Sequence, residues 1–327
     1  MGYNKTVGEY PSSDEKHQIK YYVYRPDGIP SAVLQISHGM SEYIERYEKE
    51  GFVSTLTDAG FIVCGNDHLG HGQSVNDEGE LGDFENYENL VCDLHTLNGI
   101  IKTTYRSLPY ILFGYSMGSF AVRDYMTKYD DIDGAIICGT SAGNQPVGMA
   151  DFIASLIEKL KGSNHRSGFL KKLVFRGYNS AFSKENDEIS WLLADIEARK
   201  RYKEDPLCGF NFTVRAYREL FSLLSSVSST EWAGKLPLHI PVYLISGEDD
   251  PVGENGEGIK ELYSRLEDVE LTELKMKLYK NGRHEIHNDY LKNEVYEDII
   301  AWIKEVSDGV VACRQLDSLQ YGRVDFS

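Results

Sequence analysis

Pro109-Tyr110-Ile111-Leu112-Phe113-Gly114-Tyr115-Ser116-Met117-Gly118-Ser119-Phe120-Ala121 is the stretch that decides the fold of this chain. A short apolar run, Tyr110–Phe113, predicts a buried strand. Ser119–Lys128 predicts a helix. Between them lies G-x-S-x-G, and the two flanks are the context that motif needs. A serine there sits at a sharp strand-to-helix turn with strained backbone angles. Glycines two positions to either side remove the β-carbons that would collide in the crossing. The helix N-terminus, with its unpaired N–H groups, then faces any negative charge that develops at the serine. Ser116 is therefore the candidate nucleophile.

Outward from this turn, strands and helices alternate. Ile19–Tyr24 predicts an edge strand closed by Pro26-Asp27-Gly28, and Ser31–Ile36 and Phe61–Cys64 predict buried strands. Ala135–Cys138, Val242–Ser246 and Leu274–Tyr279 continue the strand series. Arg46–Ala59, Leu90–Tyr105, Glu257–Leu266 and Tyr290–Val306 carry helical spacing. This order predicts an α/β fold with a mostly parallel central sheet and helices on both faces. One region breaks the alternation. Between Thr140 and Lys235 only helical segments are readable: Phe152–Leu160, Phe169–Phe175, Trp191–Tyr202 and Phe212–Leu224. The expected organisation is a core over residues 1–139 and 236–306, a helical cap inserted over 140–235, and a loosely held tail over 307–327.

A serine hydroxyl needs a base, and the base needs a group that fixes its tautomer. On a sheet of this kind the order along the chain is Ser, then Asp or Glu, then His. Three histidines follow the cap. His239 precedes a strand and reads as structural. His284 follows a strand and the Asn281-Gly282 turn, at the sheet's C-terminal edge where ligands bind. His287, three residues on, competes with it and otherwise reads as a wall or supporting residue. The acid is sought after Val242–Ser246, where Glu248, Asp249 and Asp250 are available. Asp250 is preferred because Pro251 restricts its backbone. The Ser31–Ile36 strand runs into His38-Gly39-Met40-Ser41-Glu42, the loop that supplies one oxyanion donor. The backbone N–H groups of Met40 and Met117 are the candidates. Asp67-His68-Leu69-Gly70-His71 invites a metal reading, but no further ligand cluster completes a set, and a self-bonded polar loop is expected. No metal and no cofactor is called for.

Charge and composition bound the partners. Thirty-four basic residues against 51 acidic ones give a net charge of −17, which repels a phosphate backbone and excludes nucleic acid as a partner. Five scattered cysteines without a C-x-x-C pair read as reduced thiols. Residues 1–10 lack an apolar run, and no segment has the length of a membrane span, so a cytoplasmic location is expected. Nothing specifies an oligomeric state.

Taken together, His38-Gly39-Met40-Ser41-Glu42, Asp67-His68-Leu69-Gly70-His71-Gly72-Gln73-Ser74, Gly114-Tyr115-Ser116-Met117-Gly118, Gly247-x-x-Asp250 and Arg283-His284-Glu285 resemble the monoacylglycerol lipase and lysophospholipase-like branch of α/β-hydrolases. That group is also described as serine aminopeptidase S33. The resemblance spans about residues 18–306. It implies Ser116, Asp250 and His284 as the catalytic triad and Met40 and Met117 as oxyanion donors. It also implies a small-molecule acyl ester as substrate. Two departures stand out: H-G-M-S-E replaces the usual H-G-x-G-E, and Tyr202–Phe210 resembles bacterial relatives of undefined substrate. Within the cap, Met149, Phe152, Ile153, Leu156, Ile157 and Leu160 form one apolar stripe. It could line an acyl site and touch lipid aggregates transiently, or simply pack the cap on the core. Ester hydrolase, peptidase or amidase, and a non-catalytic binding relative are the alternatives at this point.

Overall fold

The computed structural model describes residues 2–144 and 147–321. In chain order, its first half contains β1 (Tyr3–Pro11), β2 (Gln18–Pro26), β3 (Ala32–Ser37), α1 (Ile44–Lys49), α2 (Phe52–Asp58), β4 (Phe61–Asn66), α3 (Tyr87–Tyr105), β5 (Tyr110–Tyr115), α4 (Met117–Tyr125) and β6 (Gly134–Cys138). Next come α5 (Val147–Lys161), α6 (Gly168–Val174), α7 (Ile196–Glu204), α8 (Val214–Ser228) and α9 (Thr230–Ala233). The sheet then resumes with β7 (Val242–Gly247), α10 (Glu257–Asp268), β8 (Leu274–Tyr279) and α11 (Lys292–Tyr321).

The strands make one eight-stranded sheet in the order β1-β2-β4-β3-β5-β6-β7-β8. From β4 to β8 neighbouring strands are parallel, whereas β2 runs antiparallel to both β1 and β4. The parallel strands β3 to β7 are buried along their whole length. Successive side chains feed opposite faces: Val33 packs into one apolar layer, while Leu34 and Ile36 pack into the other. The cap helices α5–α9 all lie between β6 and β7, as an insertion in the sheet order.

Four expectations change. The edge of the sheet is β1, which the hydrophobic pattern does not announce, because only Tyr10 of its nine residues is buried. The single helix expected over Arg46–Ala59 is two helices. Gly51 adopts φ +95 between them, and the amides of Glu50 and Gly51 close the first on Arg46 and Glu48. Trp191–Asp195 is not helical. The Asp195 side chain accepts from the amides of Glu197 and Ala198 and so starts α7 only at Ile196. The tail expected over 307–327 starts as a continuation of the last helix. The α11 helix continues to Tyr321, and Arg314 reaches back to the Ser107 carbonyl and the Asp133 carboxylate. Residues 322–327 lie outside the described residues.

Two buried or half-buried arginines fasten the ends of the cap to the core. Arg123 on α4 donates to Thr140, to the Ser141 carbonyl and to the Val227 carbonyl, and stacks on Trp232 at 4.4 Å. With no carboxylate among these partners, burial lowers its pKa to about 9. Arg265 on α10 donates to the carbonyls of Ala142 and Ser228.

Candidate active site

Ser116 stands between β5 and α4 with φ +51 and ψ −119, a conformation rare for a residue with a side chain. The neighbouring glycines make the turn possible. A β-carbon on Gly118 would lie 2.0 Å from the Ser37 carbonyl oxygen, and one on Gly114 would lie 2.6 Å from the Gly118 carbonyl oxygen. Main chain on both sides therefore excludes any side chain. The Ser116 amide is fixed on the Cys138 carbonyl at 3.0 Å.

The Ser116 hydroxyl lies 2.9 Å from His284 Nε2, and His284 Nδ1 lies 2.9 Å from both carboxylate oxygens of Asp250. Asp250 is fully buried and also accepts from Ser246 Oγ at 3.0 Å and from the Val252 amide at 2.9 Å. Glu248 is exposed and Asp249 half-buried, so the carboxylate before the proline is the one turned inward. The acid and base loops approach closely at Gly247, where a β-carbon would sit 2.0 Å from the Gly282 carbonyl oxygen. The His284 ring packs between Tyr115, at 5.1 Å, and Trp191 of the cap, at 5.2 Å. Its orientation is thus set by the carboxylate and by an aromatic on each side.

His287 has a different place. It is fully buried, stacked on Tyr47 at 5.2 Å, with Nδ1 4.0 Å from Cys138 Sγ. Burial, with Arg46 and His284 nearby, depresses its pKa well below the ordinary value, so the ring is neutral. It does not line the cavity at Ser116. His239 is exposed and pairs with Asp130 at 3.1 Å.

Met40 and Met117 border the same cavity as Ser116. Met117 is the first residue of α4, where helix amides have no intrahelical partner. The loop bearing Met40 is tightly held. The Gly39 amide donates to Glu42 Oε1 at 2.6 Å, and His38 Nε2 accepts from the His68 amide at 2.9 Å. The His38 proton therefore sits on Nδ1, which donates to the Gly39 carbonyl at 2.8 Å. Burial brings the His38 pKa down to about 4, so this neutral tautomer persists at ordinary pH. The Asp67–Ser74 loop is braced internally and against the core. Asp67 accepts from the amides of Ile44 and Gln73, and Ser74 donates to the Asp67 carbonyl.

A buried ionic cluster beside the serine escaped the sequence reading. Arg46 Nη1 donates to Glu42 at 2.7 Å and makes a short bond to Glu285. Glu42 also accepts from Tyr47, and Asn288 donates to Glu285 at 2.5 Å. Two carboxylates share one guanidinium, and 239 positions separate Arg46 from Glu285. Burial, opposed by Arg46 and reinforced by Glu42, pushes the Glu285 pKa up to about 7. The local half of this cluster, Glu42 and Arg46, is an i, i+4 pair that the sequence displays, whereas nothing in it points to Glu285.

The cavity above Ser116 has a volume of about 670 Å³. Its walls are largely apolar and come mostly from the cap, including Val147, Leu173, Phe175, Phe210, Leu220 and Phe221. The apolar stripe on α5 is divided. Met149, Phe152, Leu156 and Leu160 are exposed, while Val147, Ala150, Ala154 and Ile157 pack inward. Met149 also borders the cavity, Ile157 packs on the core, and Phe152, Leu156 and Leu160 face outward, so the stripe does not serve one purpose along its length.

Comparisons with known proteins agree with this geometry. The family model described as serine aminopeptidase, S33 matches residues 28–290. The chain is 28% identical to a monoacylglycerol lipase of Mycolicibacterium smegmatis over 88% of this chain and 92% of that protein. It is 26% identical to the monoglyceride lipase of Homo sapiens over 86% of this chain and 85% of that protein. The crystal structure of a highly thermostable carboxyl esterase from Bacillus coagulans in complex with glycerol superposes with a TM-score of 0.86 at 29% identity. That match covers 94% of this chain and 99% of the esterase. The chain therefore belongs to the serine aminopeptidase S33 family of α/β-hydrolases and is a serine ester hydrolase of its monoacylglycerol lipase-like branch.

Proposed function

We propose that Ser116, His284 and Asp250 form the catalytic triad and that the preferred substrate is a single-acyl lipid ester of the monoacylglycerol class. In this reading the acyl chain lies in the cavity that the cap (residues 140–235) encloses over the core. The observation that carries it is the unbroken line Asp250–His284–Ser116, at 2.9 Å per step, opening into an apolar cavity. The Ser116 hydroxyl gives its proton to His284 Nε2 as its oxygen bonds to the ester carbonyl carbon. Asp250 holds the Nδ1–H tautomer and stabilises the imidazolium. The amides of Met40 and Met117 receive the oxyanion, each lowering the barrier by about 3 kcal/mol. Collapse expels the alcohol, protonated by His284. A water activated by the same ring then hydrolyses the acyl-enzyme.

The apolar walls favour an ester with a hydrocarbon chain over a peptide with a free amino terminus. Of the glutamates that line the cavity, Glu42 and Glu285 share Arg46 and so are charge-compensated already, and Glu188 is exposed to solvent. The exposed Phe152, Leu156, Leu160 and Phe169, flanked by Lys159, Lys161, Lys171 and Lys172, also suit brief contact with lipid aggregates. A chain-length series of p-nitrophenyl esters and monoacylglycerols, run beside aminoacyl-naphthylamides, tests the reading. Rates should peak for medium to long acyl esters. Turnover of the amides alone would overturn it. Ser116→Ala should lose all labelling by a fluorophosphonate probe while keeping its fold.

A further inference from the structure

The oxyanion loop carries a residue that its backbone does not favour. Ser41 has φ +57, the left-handed region that glycine occupies at little cost. A side chain at this position costs about 1–2 kcal/mol of local strain. What the side chain does there is visible. Its hydroxyl donates to the Phe210 carbonyl at 2.8 Å, and its own carbonyl accepts from the Gly209 amide at 3.0 Å. Gly209 and Phe210 belong to the cap and line the cavity. The pair of bonds is a clasp between cap and oxyanion loop, next to Met40.

The two sides of the Met40 amide are therefore held by different parts of the molecule. On the core side, His38 Nδ1 holds the Gly39 carbonyl. Because a trans peptide points its C=O and N–H in opposite directions, this directs the Met40 N–H away from His38. On the other side the Ser41 hydroxyl and carbonyl are tied to the cap by the clasp. The cap segment that takes the clasp is itself anchored. Lys171 of α6 donates to the Gly209 carbonyl at 3.2 Å, Tyr43 donates to Asp205 at 2.6 Å, and Arg201 binds Glu50 at 3.0 and 2.7 Å. Phe210 packs on His71 and Phe212.

We infer that Ser41 is a positioning residue for the hydrolysis, locking the Met40 amide to the cap so that the oxyanion donor is in place only while the 205–210 segment is seated. The inference rests on the proposed oxyanion role of Met40. A glycine here relaxes the strain and loses the clasp hydroxyl, whereas an alanine keeps the strain and loses the same hydroxyl. This separates a structural role from a positioning one.

The test compares wild type, Ser41→Ala and Ser41→Gly for kcat and KM on a p-nitrophenyl ester, for inhibition by an alkyl boronic acid, and for Tm. The boronic acid forms a tetrahedral adduct on the serine and reports the oxyanion site, since such analogues bind far more tightly than substrates. Both variants should lose about tenfold in kcat with KM nearly constant, and about tenfold in boronate affinity, less than the ~10²–10³ that follows loss of a donor outright because the amide is displaced and not removed. Ser41→Gly should melt no lower than Ser41→Ala. Retention of kcat within twofold in both variants, with wild type tightly inhibited, overturns the clasp alone. Full recovery of kcat in Ser41→Gly relative to Ser41→Ala also overturns it, since strain would then be the only variable. A wild type that the boronate does not inhibit overturns the oxyanion reading and the clasp with it.

Discussion

Glu285→Gln should make the protein more stable at pH 8 and reverse part of its response to pH. In the native state Glu285 is fully buried against Arg46, Glu42 and Asn288, and its carboxyl is pushed up to about 7, chiefly by burial. In the unfolded chain it titrates near its ordinary value of ~4.3. A carboxyl raised in the native state binds more protons there than in the unfolded state across the window between those values. Stability therefore falls as pH rises through the window, and the loss is complete above about 7. At ~1.36 kcal/mol per pH unit, the interval from pH 5.5 to 7 accounts for about 2 kcal/mol. Glutamine keeps the shape and an acceptor for Arg46, but cannot ionise, and Arg46 retains Glu42 as its counter-charge. Asp67 and Asp93, each raised to about 6 by burial, titrate in the same window. They do so equally in both proteins and cancel in the comparison. Urea denaturation of both proteins at pH 5.5 and pH 8 should show Glu285→Gln gaining about 2 kcal/mol on wild type between the two conditions. A variant that loses more stability at pH 8 than at pH 5.5 would refute the reasoning. That result would mean the ionised carboxylate is a net stabilising partner of Arg46.

Three further outcomes follow from the geometry. His284→Ala should lower kcat by about 10⁴-fold or more, whereas His287→Ala should keep kcat within about tenfold and lose about 2–3 kcal/mol of stability by leaving a cavity beside Tyr47; ester kinetics and denaturation of the pair check both. Asp250→Asn should keep the fold and drop kcat by about 10⁴-fold, because the wrong His284 tautomer is then favoured, and restored activity in that variant would remove Asp250 from the triad. Gly118→Ala should destabilise the protein by about 3 kcal/mol or more, measured by thermal unfolding, since its β-carbon would meet main-chain oxygen at 2.0 Å.

The parts of the fold that could be read from sequence are those whose signal is local. The strands β3 to β7 are short, mostly apolar runs, because both faces of each are covered, and breakers bound them. The edge strand β1 left no such mark. It pairs with β2 along nine residues by main-chain bonds while its side chains stay largely exposed, so hydropathy carries nothing of it. The helix break at Gly51 was equally hidden, since helical spacing persists across it and one glycine does not by itself end a helix. The continuation of α11 past Val306 was missed for the opposite reason. Its outer turns are exposed, and an exposed helix shows no apolar period.

The same distinction separates the chemistry of the site from its selectivity. Ser116, Asp250 and His284 sit in loops that follow strands, so the order of strands alone places them at one sheet edge, and each loop carries its own local constraint in Gly118, Pro251 or the Asn281-Gly282 turn. The Arg46–Glu42–Glu285 cluster, the Trp191 cover on His284 and the Ser41 clasp have no such constraint. Each joins a core residue to a partner between 93 and 239 positions away, or to a cap whose path no sheet dictates. Such contacts leave no periodicity and no motif, and they are the contacts that shape the space around the reacting carbon. A chain of this kind can therefore declare how it breaks a bond while leaving the identity of the bond to interactions that only the folded molecule contains.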